Sequence, residues 1–174
     1  CGGGDDGLYE DRKFQQNIQG ALANGIQVGV YFYSGASNAR EAYDEASYCI
    51  SLIRDYQITY PVAFDWELDG DYDSVTEACE TFCNVISSYG YQPMVYSNRN
   101  RWYNNFDGEK IASKYKVWMA AYFGKFYYDS VRWTYGDELP NFRYHYDMWQ
   151  YSSRCYVDGI SGQVDVDIAI FRLC

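Results

Sequence analysis

Six short apolar stretches along the chain have the length and composition of buried strands. They are rich in valine, isoleucine and aromatic residues and carry few charges, which is typical of strands inside a parallel sheet. The predicted strands cover residues 26–33, 61–67, 92–97, 117–122, 145–151 and 165–171.

Three other segments repeat apolar residues at helical spacing. The first covers residues 11–23, with Phe14, Ile18, Ala21 and Leu22 on one face. The later two each begin with a capping-box pattern, in which a polar side chain caps the helix and a glutamate three residues later bonds back to the backbone amide of the cap residue. The signals are Asn24-Gly25 ending the first helix, Asn38 with Glu41 starting the second, Ser74 with Glu77 starting the third, and Gly90 ending it.

The alternation of strands and helices predicts an α/β fold with a parallel sheet and crossover helices. We interpret residues 1–174 as a single domain in which residues 1–7 form a flexible loop. In such sheets and barrels, functional groups gather at the carboxyl ends of the strands. Aromatic, amide and carboxylate side chains stand there, namely Tyr33, Glu67, Tyr96, Tyr122, Gln150 and, at the start of the last strand, Asp165.

Composition and charge exclude several classes of partner. The net charge is −10 and no basic patch is present, so nucleic acid is not expected as a partner. The acidic surface disfavours anionic membranes, and no apolar run reaches the roughly 18 residues of a membrane helix. No signal peptide is recognisable, so the chain is interpreted as a mature or excised piece. Of the 21 tyrosines, we expect most in the core and a few stacked on sugars.

Six cysteines permit three disulfides, whose pairing the sequence leaves open. Cys79 and Cys83 are one helical turn apart, but His145 is the single histidine and no paired CxxC motif exists. We therefore expect no metal site and no cofactor. Free or partly paired thiols, in an exported or anaerobic setting, fit these residues better than a zinc site does.

Asp65 and Glu67 are the strongest candidates for chemistry. They stand two apart on a predicted strand, so both side chains point to the same face, with Phe64 and Trp66 on the other. Two adjacent carboxylates repel as anions, so one holds its proton to higher pH. Glycosidases need such a pair, with one acid to protonate the leaving oxygen and one anion to stabilise positive charge. Glu67 has the longer reach and is interpreted as the acid, with Asp65 as the anion.

The same two residues have a plainer interpretation, in which they bind a metal or cap a neighbouring loop. A lone Asp-x-Glu pattern is common and does not identify a catalytic site. The apolar lead-in Val62-Ala63-Phe64 favours chemistry, because acids at the end of a buried strand are costly unless they have a role.

Several segments, in order, resemble glycoside hydrolase family 25, the muramidases that cleave peptidoglycan between N-acetylmuramic acid and N-acetylglucosamine. The resemblance extends from about residue 5 to the C-terminus. It is carried by residues 14–17 (FQQN) leading to 29–34 (GVYFYS), then 61–67 (PVAFDWE), 148–152 (MWQYS), and 157–160 (VDGI) with 164–167 (VDVD).

The resemblance implies an irregular, TIM-like β/α barrel and a secreted, cell-wall-associated enzyme that acts on peptidoglycan glycan strands. It implies Glu67 as general acid/base and Asp65 as its assistant, holding the substrate's acetamido group while that group attacks the anomeric carbon. Asp165 matches a further carboxylate of the family's groove. Implied sugar contacts, for which core packing is the alternative, are Tyr33, Tyr96, Tyr122, Trp118 and Gln150.

One departure affects what this chain is expected to do alone. Members of the family begin with a strand carrying a Gly-Ile-Asp-Val-Ser-like motif, a helix and a second strand, and nothing here matches that stretch. About six of the family's eight strands are therefore expected, with two open edges that favour self-association or binding of the missing segment. The alternatives are a non-catalytic glycan-binding module, a barrel fragment that needs a partner chain, and a glycosidase acting on chitin-like polymers.

Overall fold

The computed structural model describes residues 1–4 and 7–170. Its elements are α1 (Phe14–Ala23), β1 (Val30–Tyr33), α2 (Ala39–Ile53), β2 (Val62–Asp65), α3 (Tyr72–Ser88), β3 (Pro93–Asn98), α4 (Arg99–Asn104), α5 (Gly108–Ala112), β4 (Lys116–Ala120), α6 (Gly124–Tyr128), β5 (Met148–Cys155) and β6 (Val164–Ala169). The six predicted strands and three predicted helices are present with shifted ends, and the predicted end of the last strand, Phe171, lies outside the described residues. No described helix combines the length and apolar character needed to cross a bilayer.

The six strands form one sheet in chain order, curved into half of a barrel. β1 to β5 are parallel to their neighbours, as the alternation of elements predicts. β6 is antiparallel to β5, so the expectation of an entirely parallel sheet is wrong at this edge. The connection, residues 156–163, is shorter than the dozen or more residues of a parallel crossover. Gly159 and Gly162, with φ of 88° and 95°, allow the chain to reverse there.

Side chains of β2 divide between the two faces of the sheet. Val62 and Phe64 join the hydrophobic core between the sheet and its helices, and the Phe64 ring lies 5.2 Å from that of Phe82 on α3. Ala63 and Asp65 alternate to the inner face of the half-barrel. The packing of one face against the helices therefore turns the other face, with Asp65, toward the site.

The first three residues are ordered by β1, contrary to the expectation of a flexible loop. The Gly3 amide donates to the Tyr33 carbonyl at 2.9 Å, and the Tyr33 amide donates to the Cys1 carbonyl at 3.0 Å. Gly3 passes so close to Glu45 that a Cβ atom there would lie 2.3 Å from Oε1. The buried Glu45 carboxylate in turn accepts bonds from Ser34 Oγ and the Gly35 amide, at 2.5 and 2.9 Å.

The helix starts agree with the predicted caps in one case and not in the other. Asn38 caps α2 by accepting from the amides of Arg40 and Glu41. The predicted cap Ser74 lies inside α3, whose cap is Asp71, with a bond from the Ser74 amide at 3.1 Å. Aspartate caps as well as serine, so the helix begins one turn earlier.

The cysteines among the described residues form no disulfide. Cys1, Cys49, Cys79, Cys83 and Cys155 are free thiols, and all but Cys1 are buried. Cys174 lies outside the described residues. Burial raises the pKa of Cys49 to about 12, so this thiol is an inert core residue.

Candidate active site

An open cleft of about 450 Å³ lies at the inner face of the half-barrel, toward the carboxyl ends of the strands. It brings together all but one of the site residues predicted from the sequence. Its lining residues are Cys1, Tyr9, Asp11, Tyr31, Tyr33, Asp65, Glu67, Tyr96, Trp118, Gln150, Asp165 and Asp167. The exception is Tyr122, which contacts the cleft through Gln150.

Asp65, the last residue of β2, is the buried member of the acid pair. Its exposed fraction is 6%, and its Oδ1 atom has no hydrogen-bond partner among the described residues. Burial, and to a smaller extent the negative charge of the neighbouring Glu67, raise the pKa of Asp65 to about 7. A buried polar atom without a partner costs free energy, so this oxygen is available to a donor that enters the cleft.

Glu67 follows the end of β2 and is partly exposed in the cleft. Trp66 fixes the segment between the two acids, because its ring is buried against Phe106 at a centroid distance of 5.6 Å. The Trp66 amide also donates to the Tyr96 carbonyl at 3.2 Å, and Ser97 Oγ donates to the Trp66 carbonyl at 2.6 Å. This anchoring on the helix side holds both carboxylates toward the cleft, as the alternation predicts.

Tyrosine hydroxyls converge on the Gln150 side chain from two sides. Tyr96 Oη donates to Gln150 Oε1 at 2.8 Å, and the Tyr122 hydroxyl donates to the same atom. Burial and the charge of Asp165 raise the pKa of Tyr122 to about 12. Burial likewise raises the pKa of Tyr33, and the negative charges of Glu67 and Asp65 add to that rise. The phenols are therefore neutral donors beside the acid pair.

The sixth strand contributes two carboxylates, of which the sequence analysis singled out one. Asp165 lines the cleft as predicted, and so does Asp167. Trp118 Nε1 donates to Asp167 Oδ1 at 2.7 Å, which ties β6 to β4 across β5. The protein atoms around its carboxyl group raise the pKa of Asp167 by desolvation. The residue as a whole is exposed on the edge strand β6, so solvent screens part of this rise. The spacing of two that paired Asp65 with Glu67 also identifies Asp167.

The cleft includes further residues that sequence reasoning did not assign. Tyr31 on β1 precedes Tyr33 by two positions, so strand alternation places them on one face. Tyr9 and Asp11 come from the segment before α1, and no pattern in the sequence links them to the strands. Together, the residues that line the cleft include five carboxylates and neither lysine nor arginine.

The interpretation of the acid pair as metal ligands finds no support in the described residues, which include no group of three or more metal-ligating side chains arranged to hold an ion. The alternative that the pair caps a neighbouring loop is not supported at Asp65, whose Oδ1 atom accepts no hydrogen bond from the described residues. The arrangement is one of carboxylates and phenols around an open groove. It suits proton transfer to a polyhydroxylated substrate.

Comparison with known proteins gives consistent matches. The family model described as "Glycosyl hydrolases family 25" matches residues 4–160. The chain is 26% identical to an autolytic lysozyme of Clostridium acetobutylicum, covering 91% of the chain and 44% of that protein. It is 28% identical to a D-alanyl-L-alanine endopeptidase of Streptococcus phage B30, covering 82% and 31%.

A solved structure gives the same picture in three dimensions. The modular autolysin LytC from Streptococcus pneumoniae, in complex with a synthetic peptidoglycan ligand, superimposes with a TM-score of 0.72 at 28% identity, covering 91% of the chain and 37% of that protein. The chain therefore spans less than half the length of each of these relatives.

Proposed function

Because the chain belongs to the glycosyl hydrolases of family 25, we propose that it is a muramidase, which hydrolyses the β-1,4 bond between N-acetylmuramic acid and N-acetylglucosamine in peptidoglycan. The observation that carries the proposal is the pair Asp65 and Glu67 at the carboxyl end of β2, one buried and one open to the cleft. This substrate implies that the protein works outside the cell, at the wall.

Glu67 is the general acid/base of the proposed reaction. It gives its proton to the glycosidic oxygen as the bond to the anomeric carbon breaks, and it later takes a proton from the attacking water. Because the pKa of Asp65 is about 7, its carboxyl group is partly protonated in the free protein at neutral pH. In the absence of substrate, Asp65 is therefore not simply the anion of the pair.

Substrate binding supplies the change that moves this proton. An acetamido N–H of the sugar that donates to the unpartnered Asp65 Oδ1 stabilises the ionised carboxylate. Asp65 then gives up its proton, and Glu67, the neighbouring acid of the pair, is the member that delivers a proton to the glycosidic oxygen. Asp65 holds the acetamido group while its oxygen forms a bond to the anomeric carbon, and water later breaks that bond.

The remaining predicted residues have binding roles in this proposal. Tyr33, Tyr96 and Trp118 offer ring faces and polar atoms to sugar. Gln150, held by Tyr96 and Tyr122, presents its amide to hydroxyl groups. Asp165, across the cleft from β2, accepts bonds from the sugar and contributes negative charge near the anomeric carbon.

Replacing Glu67 by glutamine tests the proposal. We expect Glu67→Gln to lower release of reducing ends from purified cell walls by about 10²–10⁴-fold, the contribution of a positioned general acid, while wall binding persists. Glu77→Gln, an exposed glutamate on α3, is the matched control. A Glu67→Gln protein that clears walls at the wild-type rate contradicts the assignment, and binding without any release by the wild type favours a non-catalytic glycan-binding module.

We also propose that the open side of the half-barrel is covered by a second copy or by a further polypeptide segment. A groove of about 290 Å³ beside β1, lined by apolar residues that include Phe14, Ile18 and Val30, lies at this side. Tyr31 there is 55% exposed, which is unusual for the inner face of a barrel. Sedimentation should detect association, and a cooperatively unfolding monomer counts against it.

A further inference from the structure

Three planar groups stack at the rim of the cleft, outside the acid pair. The rings of Tyr122 and Tyr127 are 5.2 Å apart and nearly parallel, at 5°. The Arg154 guanidinium carbon lies 4.3 Å from the centre of the Tyr127 ring. Tyr122 also donates to Gln150, which lines the cleft, so the stack runs outward from the site and ends on a cation.

The rim position follows from the strand pairing. β4 pairs with β5 only as far as Ala120 and Gln150. The rest of β5, with Arg154, continues past the carboxyl end of β4 and pairs with β6 alone. Tyr127 lies on α6, the helix that follows β4. The stack therefore stands at the same edge of the sheet as Asp65 and Glu67.

The Arg154 guanidinium is held in place but not neutralised. Among the described residues it donates no hydrogen bond and pairs with no carboxylate, and the residue is exposed. Arg101, whose charge acts on Tyr33, is by contrast committed, because its Nε donates to the Leu68 carbonyl at 2.9 Å and its guanidinium faces Asp69 at 3.9 Å. A planar, weakly hydrated cation with free donors suits a carboxylate.

The charge of the cleft decides where an anionic part of a substrate can lie. Five carboxylates line the cleft with no lysine or arginine. Those of them that are ionised repel a negatively charged substituent of a glycan, and repulsion between partly buried like charges is weakly screened. A substituent of this kind is therefore favoured outside the cleft, beside an available cation.

We propose that Arg154, seated on Tyr127, binds a carboxylate of the short peptide that peptidoglycan carries on its N-acetylmuramic acid units, and so favours peptide-substituted glycan over bare glycan. This rests on the proposed function. The distances are compatible, because an extended peptide advances about 3.3–3.6 Å per residue and the stack places the guanidinium two ring separations beyond the Tyr122 ring. A carboxylate two or three residues along the peptide reaches that far.

The test compares soluble glycan chains of defined length with and without their peptides. For Arg154→Gln, we expect kcat/KM to fall about five- to tenfold on peptide-bearing chains, the effect of losing one charge-assisted hydrogen bond at an exposed site, and less than twofold on peptide-free chains. Arg154→Lys, which keeps the charge but not the planar fork, should fall between. Arg143→Gln is the matched control, because Arg143 also lies on a tyrosine ring, at 4.8 Å from Tyr103, and neither of these residues lines the cleft.

An equal loss on both substrates, or no loss on either, overturns the inference. Binding of the same chains, measured by calorimetry on the Glu67→Gln protein with and without Arg154→Gln, separates it from the proposed function. A preference for peptide-bearing chains that disappears with Arg154 supports the inference even when the wild type cleaves neither substrate. Equal binding of both chains to the Arg154-containing protein overturns it whatever the hydrolytic activity.

Discussion

Replacing Asp65 by asparagine should stabilise this protein at pH 8. The folded chain raises the pKa of Asp65 from 3.8 to about 7, because its carboxylate is buried at the end of β2 beside Glu67. Between pH 3.8 and about pH 7, the folded protein holds more protons than the unfolded chain, so the free energy of unfolding falls as pH rises. The loss is complete above about pH 7. Three pKa units at about 1.36 kcal/mol each set an upper limit of about 4 kcal/mol.

Water in the open cleft reduces this penalty, so we expect Asp65→Asn to gain about 2–4 kcal/mol at pH 8. At pH 4 the gain should nearly vanish, because Asp65 is then protonated and close to isosteric with asparagine. Asparagine cannot ionise, and its amide still offers Oδ1 or the NH₂ group to the cleft. Activity should be lost together with the gain in stability.

Urea unfolding followed by tryptophan fluorescence at pH 4, 6 and 8 measures the effect, with linear extrapolation to zero urea. Asp44→Asn, an exposed aspartate on α2, is the control for removal of one charge from an acidic protein. Asp167 remains in both proteins, so its own contribution to the pH dependence cancels. A variant no more stable than the wild type at pH 8, or one whose advantage is equal at pH 4 and pH 8, refutes the reasoning.

Two further predictions follow from the same geometry. Hydrolysis of soluble glycan should decline as pH rises through about 7, because the Asp65–Glu67 pair then loses the proton that the leaving oxygen requires; kcat/KM measured from pH 5 to 9 checks this, and a constant value up to pH 9 contradicts it. Gly3→Ala should destabilise the protein by about 1–3 kcal/mol, because its Cβ would lie 2.3 Å from Glu45 Oε1. Thermal unfolding measures the change, and Gly4→Ala is the control, since a Cβ there meets no atom within 4 Å. Equal melting temperatures for the two variants refute this prediction.

The acid pair could be predicted because it depends on one local rule. Side chains alternate along a strand, so the spacing of Asp65 and Glu67 was sufficient to put them on one face. The apolar residues of β2 then determined which face, since Val62 and Phe64 have to pack against helices. The same rule covers Tyr31 with Tyr33, and Asp165 with Asp167. Each of these pairs is readable from the sequence once the strand has been recognised.

Features that depend on short or competing signals were less accessible. α4, α5 and α6 have five or six residues each, too few for an apolar periodicity to appear. Asp71 and Ser74 are both good helix caps, and their sequence neighbourhood does not rank them. The direction of β6 was set by the length of its connection to β5, which the general rule for alternating strands and helices does not consider.

The convergence of charge in the cleft is a property of the tertiary structure, and it bears directly on the chemistry proposed. Asp11, Asp65, Glu67, Asp165 and Asp167 come from three distant parts of the chain, so no window of sequence contains the cluster. Within this cluster, the negative charge of Glu67 adds to burial in raising the pKa of Asp65. In the proposed reaction, the negative charge of the cleft stabilises the positive charge that develops at the anomeric carbon. The same negative charge also repels anionic substituents of a glycan. At the rim, the unpaired guanidinium of Arg154 is a cation to which such a substituent can bind.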